Sequence, residues 1–594
     1  MLSNCCLRCH VWCLLLIGLW VLPPSALAER PAAPKLLPRS TMAYLRVHSA
    51  PELVEAFRET SGGRMARDEQ IQPLLAHLYG SLTQAFADAQ GELGMSLDEL
   101  LSIPRGEMCV AFVAPEQGQP AVAVILEAGE NLPIAERLLG FARDRAVADG
   151  ATVRTESYRD TELKVFETGE TTNPAYFIRE ATIVISSDVA LTKHMLNVWD
   201  GEQAETLADN RRFTTIMSRS QGTKEERPQI TWFVEPIDLV KRLTRGNLTA
   251  AAGLAILPAL GVDGLQAIGG SMILATEEFD SIMHLHVMMQ TPREGVLKMI
   301  ALEPGDITPE NWVPSDVASY TTLHWNGQQT FDALMPVYDA FRGEGAMLFD
   351  IDARINEPLG LDLQQDFLDQ FDGRMTLVTW FEKPARLNSQ STMLAFKMKD
   401  GKTFSGTLDK LLAKVAPNAE KKSHRGATYY RFEPGGRRAR ERRERLEGND
   451  LFRRPEPLVG ILGDYVILTD SVRFFEEVVA SSKNDSSLAG ELDFKLIASK
   501  FKQHSQGEKP ALVSFSRPEE GMRLLYELAT SDSTRGRLSS AAENNGFFRA
   551  IHEALEANEL PPFAAIARYL APTGALLIND ETGLHYTAFG LKRE

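Results

Sequence analysis

The clearest pattern along the chain is an apolar hairpin that occurs twice. One copy runs Leu458-Val459-Gly460-Ile461-Leu462-Gly463-Asp464-Tyr465-Val466-Ile467-Leu468-Thr469-Asp470; the other runs Tyr176-Phe177-Ile178-Arg179-Glu180-Ala181-Thr182-Ile183-Val184-Ile185-Ser186-Ser187-Asp188. β-Branched and aromatic residues in short runs favour strands. Glu180 and Asp464 interrupt the runs where tight turns are expected. Asp188 and Asp470 are placed to accept the free amides in the first turn of a following helix. Strand alternation also marks Thr41–Val47, Met108–Ala114, Ala121–Glu127, a pair within Thr152–Thr168, Ile230–Val234, Gly270–Ala275 and Ser281–Met289. Helical spacing marks Pro51–Thr60, Ile71–Ala89 and Leu132–Val147.

The second half repeats this order. Pro38 and Tyr44 correspond to Pro314 and Tyr320, Gly106 and Met108 to Gly373 and Met375, and Arg159 and Phe166 to Arg425 and Phe432. Asp188, Pro228, Phe233 and Pro236 correspond to Asp470, Pro510, Phe515 and Pro518. Collinear matches of this kind mark an internal repeat. Short hairpin-joined strands with helices between them predict an α+β fold: two related domains, each a mainly antiparallel sheet with helices packed on one face. The expected boundaries are a signal peptide over 1–28, a first repeat over 29–302, a linker over 303–314 and a second repeat over 315–594. The second repeat carries an Arg-rich loop insertion at about 437–455.

The N-terminus bears on compartment. Arg8, the apolar stretch Val11–Leu22 and Ser25-Ala26-Leu27-Ala28 read as a cleavable secretory signal ahead of Glu29. The apolar stretch is shorter than the roughly 20 residues that span a bilayer. Cys6-Leu7-Arg8-Cys9-His10 matches a haem-attachment spacing, but it lies in the segment to be removed. Cleavage leaves Cys109 as the one cysteine, inside an apolar run that suits a buried small hydrophobe. It also leaves 62 basic against 80 acidic residues, a net charge of −18. That balance disfavours nucleic-acid and anionic-membrane partners.

Templates for chemistry are mostly missing. The chain has no Gly-x-Ser-x-Gly elbow, full phosphate-binding Gly-x-x-x-x-Gly-Lys-Ser/Thr loop or His-Glu-x-x-His helix; His552-Glu553 is followed by Glu556. Ser499 and Lys502 have Ser-x-x-Lys spacing without the usual companion motifs. His284 and His286 would share one face of a strand and could address one ion. No third ligand is placed by sequence, and a buried, hydrogen-bonded pair is the simpler reading. Asp362, Asp366, Asp369 and Asp372 alternate with Leu363, Phe367 and Phe371, as the wet face of an amphipathic helix would. No catalytic, cofactor-binding or metal-binding residue is assigned.

The opening Leu36-Leu37-Pro38-Arg39-Ser40-Thr41-Met42-Ala43-Tyr44 and the block Leu260–Gly270 resemble a family of exported bacterial proteins of unknown function, planctomycete ones in particular. The resemblance implies the exported compartment and the fold class and transfers no activity. The expectation is a noncatalytic binding or scaffolding protein of the cell envelope or periplasm, with an envelope protein or polymer as partner and no cofactor. The alternatives are a hydrolase of envelope or extracellular polymer and a carrier of an apolar ligand.

Overall fold

The computed structural model describes residues 30–73, 76, 94–116, 118–169, 172–222, 226–432, 452–484, 486–505, 507–531 and 560–593. The expected signal peptide, the haem-like spacing, most of the helix over 71–89, His552 and most of the Arg-rich insertion lie outside these residues. Among the described residues no helix is long and apolar enough to cross a membrane.

The first ten strands are β1 (Thr41–Val47), β2 (Met108–Val113), β3 (Ala121–Glu127), β4 (Thr152–Tyr158), β5 (Thr161–Glu167), β6 (Ala175–Arg179), β7 (Thr182–Ser186), β8 (Ile230–Val234), β9 (Leu265–Leu274) and β10 (Phe279–Met289). The next ten are β11 (Ser319–His324), β12 (Phe371–Phe381), β13 (Gln390–Met398), β14 (Glu420–His424), β15 (Ala427–Arg431), β16 (Leu458–Leu462), β17 (Tyr465–Thr469), β18 (Leu512–Ser516), β19 (Thr573–Asp580) and β20 (Gly583–Leu591). The fold is α+β, and these strands form one antiparallel sheet. Its order is β4-β5-β6-β7-β3-β2-β1-β8-β9-β10-β20-β19-β18-β11-β12-β13-β17-β16-β15-β14. Read from either edge, the strands follow one another in the same sequence, and the centre falls between β10 and β20.

Register repeats along with order. Tyr44 on β1 faces Ala111 and Phe233, and Tyr320 on β11 faces Val378 and Phe515. Each tyrosine also meets a helix phenylalanine edge-on, Tyr44 with Phe213 at 5.4 Å and Tyr320 with Phe494 at 6.2 Å. The two organising hairpins form as expected, β6–β7 and β16–β17. Glu180 and Ala181 both take positive φ, the turn geometry whose twist matches a two-residue hairpin.

The helices that matter are α1 (Leu132–Ala148), α2 (Val189–Trp199), α3 (Arg211–Arg219), α4 (Gly401–Val415), α5 (Val472–Ser481), α6 (Leu492–His504) and α7 (Pro518–Thr530). Successive strand residues point to opposite faces. On the first face, α2 and α3 cover a core that includes Leu163, Phe177, Val184 and Phe233. On the same face, α5 and α6 cover a core that includes Tyr320, Ile467, Phe515 and Phe589. Ile183 and Val466, one residue out of phase, point the other way into two smaller clusters under α1 and α4. Helices thus cover both faces near the sheet edges, and only the first face is filled up to the middle of each half.

Several local expectations shift. Asp188 caps α2 through the Ala190 amide, 3.0 Å away. Asp470 does not cap α5; Ser471 does, accepting from the Phe474 amide at 3.2 Å. The Asp470 carboxylate instead accepts from Ser391 Oγ at 2.7 Å and pairs with buried Arg453. Arg453 comes from the described end of the Arg-rich insertion, so the chain there is anchored in the fold. Residues 303–314, read as a linker, are packed: Glu310, Trp312 and Val313 are buried. Proline content signalled an irregular backbone there but could not show that the segment's side chains fill the second core. The lead segment from Arg30 is likewise packed, as a short helix Ala33–Leu36 with Ala33, Leu36 and Leu37 fully buried. The acidic stretch 362–372 forms a short helical segment, Gln364–Leu368, leading into β12, with Phe367 and Phe371 packed inward, Asp362 accepting from the Gln364 and Gln365 amides and Asp372 paired with Lys397 at 2.7 Å.

Each of these packed segments is held by a buried charge, of opposite sign in the two halves. Glu107, just before β2, accepts from the Ala33 amide at 3.1 Å and sits between Arg30 and Arg46. At the corresponding position before Met375, Arg374 sits between Glu310, at 3.0 Å, and Asp306, and donates to the Tyr320 hydroxyl at 3.0 Å. Removing one partner from such a buried pair leaves the other uncompensated. Arg374→Met is therefore expected to lower unfolding free energy by about 3–5 kcal/mol in urea denaturation. Leu525→Ala, at an exposed site on α7, is expected to change it by less than about 0.5 kcal/mol.

Candidate functional site at the seam

β10 and β20 pair from Phe279↔Leu591 to Met288↔Gly583, and this ladder joins the two sets of ten strands. On the second face, between the clusters under α1 and α4, apolar sheet residues stay exposed among the described residues. Leu45, Val110, Val122, Met272, Met283, Leu377 and Leu468 are exposed there. At the seam this face carries a groove of about 460 Å³ over β9, β10, β20, β19 and β18. Its floor is a cross-strand row, Met272–Met283–Ala588–Ala575–Ser514, beside a second row of Ser281, Gly590, Thr573 and Ser516. Ser61, Pro518 and Tyr569–Ala571 form its walls. Among the described residues lining it, Asp280 is the one carboxylate, and it accepts from the Ser61 amide. The groove is thus apolar along its length, with hydroxyls along one side. Behind its wall the Tyr569 hydroxyl donates to Asp68 at 2.7 Å and Arg568 pairs with the same carboxylate. Those contacts, the Tyr569 hydrogen bond foremost, hold the Asp68 carboxyl down at about 2.

The first face of the same two strands is apolar at Phe279, Ile282 and Phe589 and polar beyond them. His284 faces Thr587 across the ladder and His286 faces His585. All three imidazoles are buried, with His286 at 0 % exposure. The His585 ring lies 5.6 Å from His284 and 5.7 Å from His286, centre to centre. His284 Nδ1 and His585 Nε2 share the Thr587 hydroxyl at 3.2 and 3.3 Å, and His286 Nε2 meets the Thr582 hydroxyl at 3.4 Å. The other nitrogens, His284 Nε2, His286 Nδ1 and His585 Nδ1, have no partner among the described residues. Burial lowers all three: His284 and His286 to about 4, and His585 to about 3 with help from its neighbouring imidazoles. At neutral pH the cluster is uncharged.

The pair His284 and His286 does share a face as alternation predicts, and the tertiary pairing brings a third histidine to it. Among the described residues no group of three His, Cys, Asp or Glu side chains is placed to hold a metal ion. His585 lies in its own alternating run, Gly583-Leu584-His585-Tyr586-Thr587, which mirrors His284-Leu285-His286. What sequence could not supply is the register that opposes the two runs. Ser499 donates to the Leu496 carbonyl at 2.7 Å on an exposed helix face. Cys109 is buried in β2, and burial pushes its thiol far above the ordinary range. Comparison with protein-family models, curated proteins and solved structures finds no match.

Because the folded values of the three histidines lie below the ordinary 6.5, the folded chain binds fewer protons than the unfolded chain between about pH 4 and 6.5. Stability from this source is complete above pH 6.5 and is lost as pH falls toward 4. Denaturation curves at pH 7 and pH 5 are expected to differ by about 1–2 kcal/mol per buried histidine, and His585→Gln is expected to remove its share of the difference.

Proposed function

We propose that this protein is a noncatalytic binding protein of the bacterial cell envelope or periplasm, and that its ligand lies in the seam groove on the open face of the sheet. The observation that carries the reading is the groove itself: an open, continuous trough across five strands, floored by Met272, Met283, Ala575 and Ala588 and edged by Ser281, Ser514, Ser516 and Thr573. Flexible methionines suit an adaptable apolar contact. The hydroxyl row suits a ligand with an apolar body and hydrogen-bonding groups along one side, such as a segment of an envelope protein or polymer.

A polymer hydrolase of the usual glycosidase kind needs two carboxyl groups flanking the bond it cuts. Asp280 alone does not supply that pair, and its carboxylate is committed to a backbone amide. Among the described residues the groove opens to the surface. Its form is therefore that of a docking trough and not of an enclosed lipid-carrier cavity. Export is supported by the apolar stretch Val11–Leu22 and the Ala26-x-Ala28 site.

Two outcomes test this reading. Anilinonaphthalene sulfonate, an apolar probe with one anionic group, is expected to bind the native chain saturably at pH 7.5. Met283→Glu is expected to weaken that binding at least fivefold with an unchanged circular dichroism spectrum; equal binding by the variant would remove the groove from the proposal. N-terminal sequencing of protein recovered from the source cell is expected to begin at Glu29. A chain still carrying residues 1–28 would overturn the exported, cleaved form.

A further inference from the structure

On the first face one hydrocarbon core crosses the β10–β20 ladder at Ile273, Phe279 and Ile282, and a separate core fills the rest of the first half. Between them, along the β10–β20 ladder, stand His284, His286 and His585, with His504 of α6 beside Phe279 and Phe589 at 5.0 and 4.9 Å. A buried polar cluster at the point where two cores join is a costly choice unless its state matters, because hydrocarbon there would bind the halves more firmly. We propose that this histidine cluster is an acid-operated joint: protonation of the imidazoles loosens the β10–β20 ladder around His284–His286 and His585–Thr587, while hydrocarbon at Phe279 and Ile282 holds its other end.

Hydrogen-bond accounting supports the direction of the effect. The Thr582 hydroxyl donates to Asp580 at 2.6 Å, so it can only accept from His286 Nε2. That leaves His286 Nδ1 as a bare lone pair, which is tolerable in a buried site. The Thr587 hydroxyl has one proton to share between His284 and His585, so at least one of those rings must donate to it. A proton added to His286 Nδ1, His284 Nε2 or His585 Nδ1 creates a buried donor with no acceptor among the described residues.

The surrounding charges do not offset this. Arg219 of α3 and Asp580 at the end of β19 face the cluster, but they are paired with each other at 2.6 Å. His504 faces Lys500, Glu278 and Glu226, and Lys500 and Glu278 are themselves paired at 2.8 Å. Charging the seam therefore sets up to four cations beside Arg219 and Lys500, with Asp580 and Glu278 already engaged. Other ties between the halves include Asp68 to Arg568 and Tyr569, Thr291 to the Glu581 carbonyl at 2.5 Å, Arg293 to Asn579 at 2.5 Å, and Asn579 to the Leu302 carbonyl at 2.6 Å. At the other end of the ladder the Phe279 and Phe589 rings lie 5.5 Å apart, and Ile273 and Ile282 join the same core across the seam.

Hydrogen–deuterium exchange of the full mature chain at pH 7.5 and pH 4.5, corrected for the intrinsic exchange rate, tests the joint. Peptides covering 284–289 and 583–587 are expected to lose at least tenfold protection at the lower pH, with β2–β3 and β12–β13 peptides keeping theirs. Equal seam protection at both values, or a loss shared by every strand, overturns the proposal. The triple variant His284→Gln, His286→Gln, His585→Gln is expected to hold its seam protection at pH 4.5. If that variant does not fold, His585→Gln alone is expected to reduce the acid loss at least threefold. A folded variant with the wild-type acid loss assigns the effect to carboxylates and sinks the histidine joint.

Discussion

Everything in this molecule hangs on the antiparallel ladder between β10 and β20. An open sheet has two edges, and unpaired edge strands invite association with other chains. Here the inner edge of each ten-strand set is satisfied by the inner edge of the other. The exposed edges that remain are β4 and β14, which carry Arg154, Glu156, Glu420, Lys421 and Lys422. Charged edge strands of this kind resist further pairing. The continuous sheet, the central groove and the buried histidines all follow from that one pairing.

The ladder gives its two faces different work. One face sets His284, His286 and His585 between two hydrocarbon cores, one of which crosses the same ladder at Phe279 and Ile282. The other turns Met283, Ala588 and their cross-strand neighbours into an open trough. A proton taken up on one side and a ligand held on the other would act on the same nine residue pairs. Linkage then requires that whatever stabilises the closed ladder from the groove side also opposes protonation on the histidine side.

The halves reach similar geometry with different chemistry. Tyr44 and Tyr320 hold equivalent places in register, whereas Glu107 between two arginines corresponds to Arg374 between two carboxylates. A buried charge must be compensated wherever it lies, but either sign can sit at the centre provided its partners carry the other. The requirement is a neutralised polar anchor that pins the lead segment over the core, and two arrangements meet it.

Strand alternation, helix spacing and the collinear matches between the halves were legible in the sequence because they depend on neighbours a few residues away. The hairpins at Glu180 and Gly463, the Asp188 cap and the buried Cys109 follow from such local signals. Asp470 is a case where the local signal was not enough: its residue type suits a cap, but Arg453 and Ser391, brought from elsewhere in the chain, claim its carboxylate. Residues 303–314 are another, since proline and glycine describe a backbone and not what its side chains fill. The groove was not legible, and of the histidine cluster only the shared face of His284 and His286 was. Each is made of residues about 300 positions apart, and only the register of β10 against β20 decides that His286 meets His585 and Met283 meets Ala588. Local chemistry settled which segments become strands; long-range pairing, whose energy depends on which two strands share an edge, settled what those strands build together.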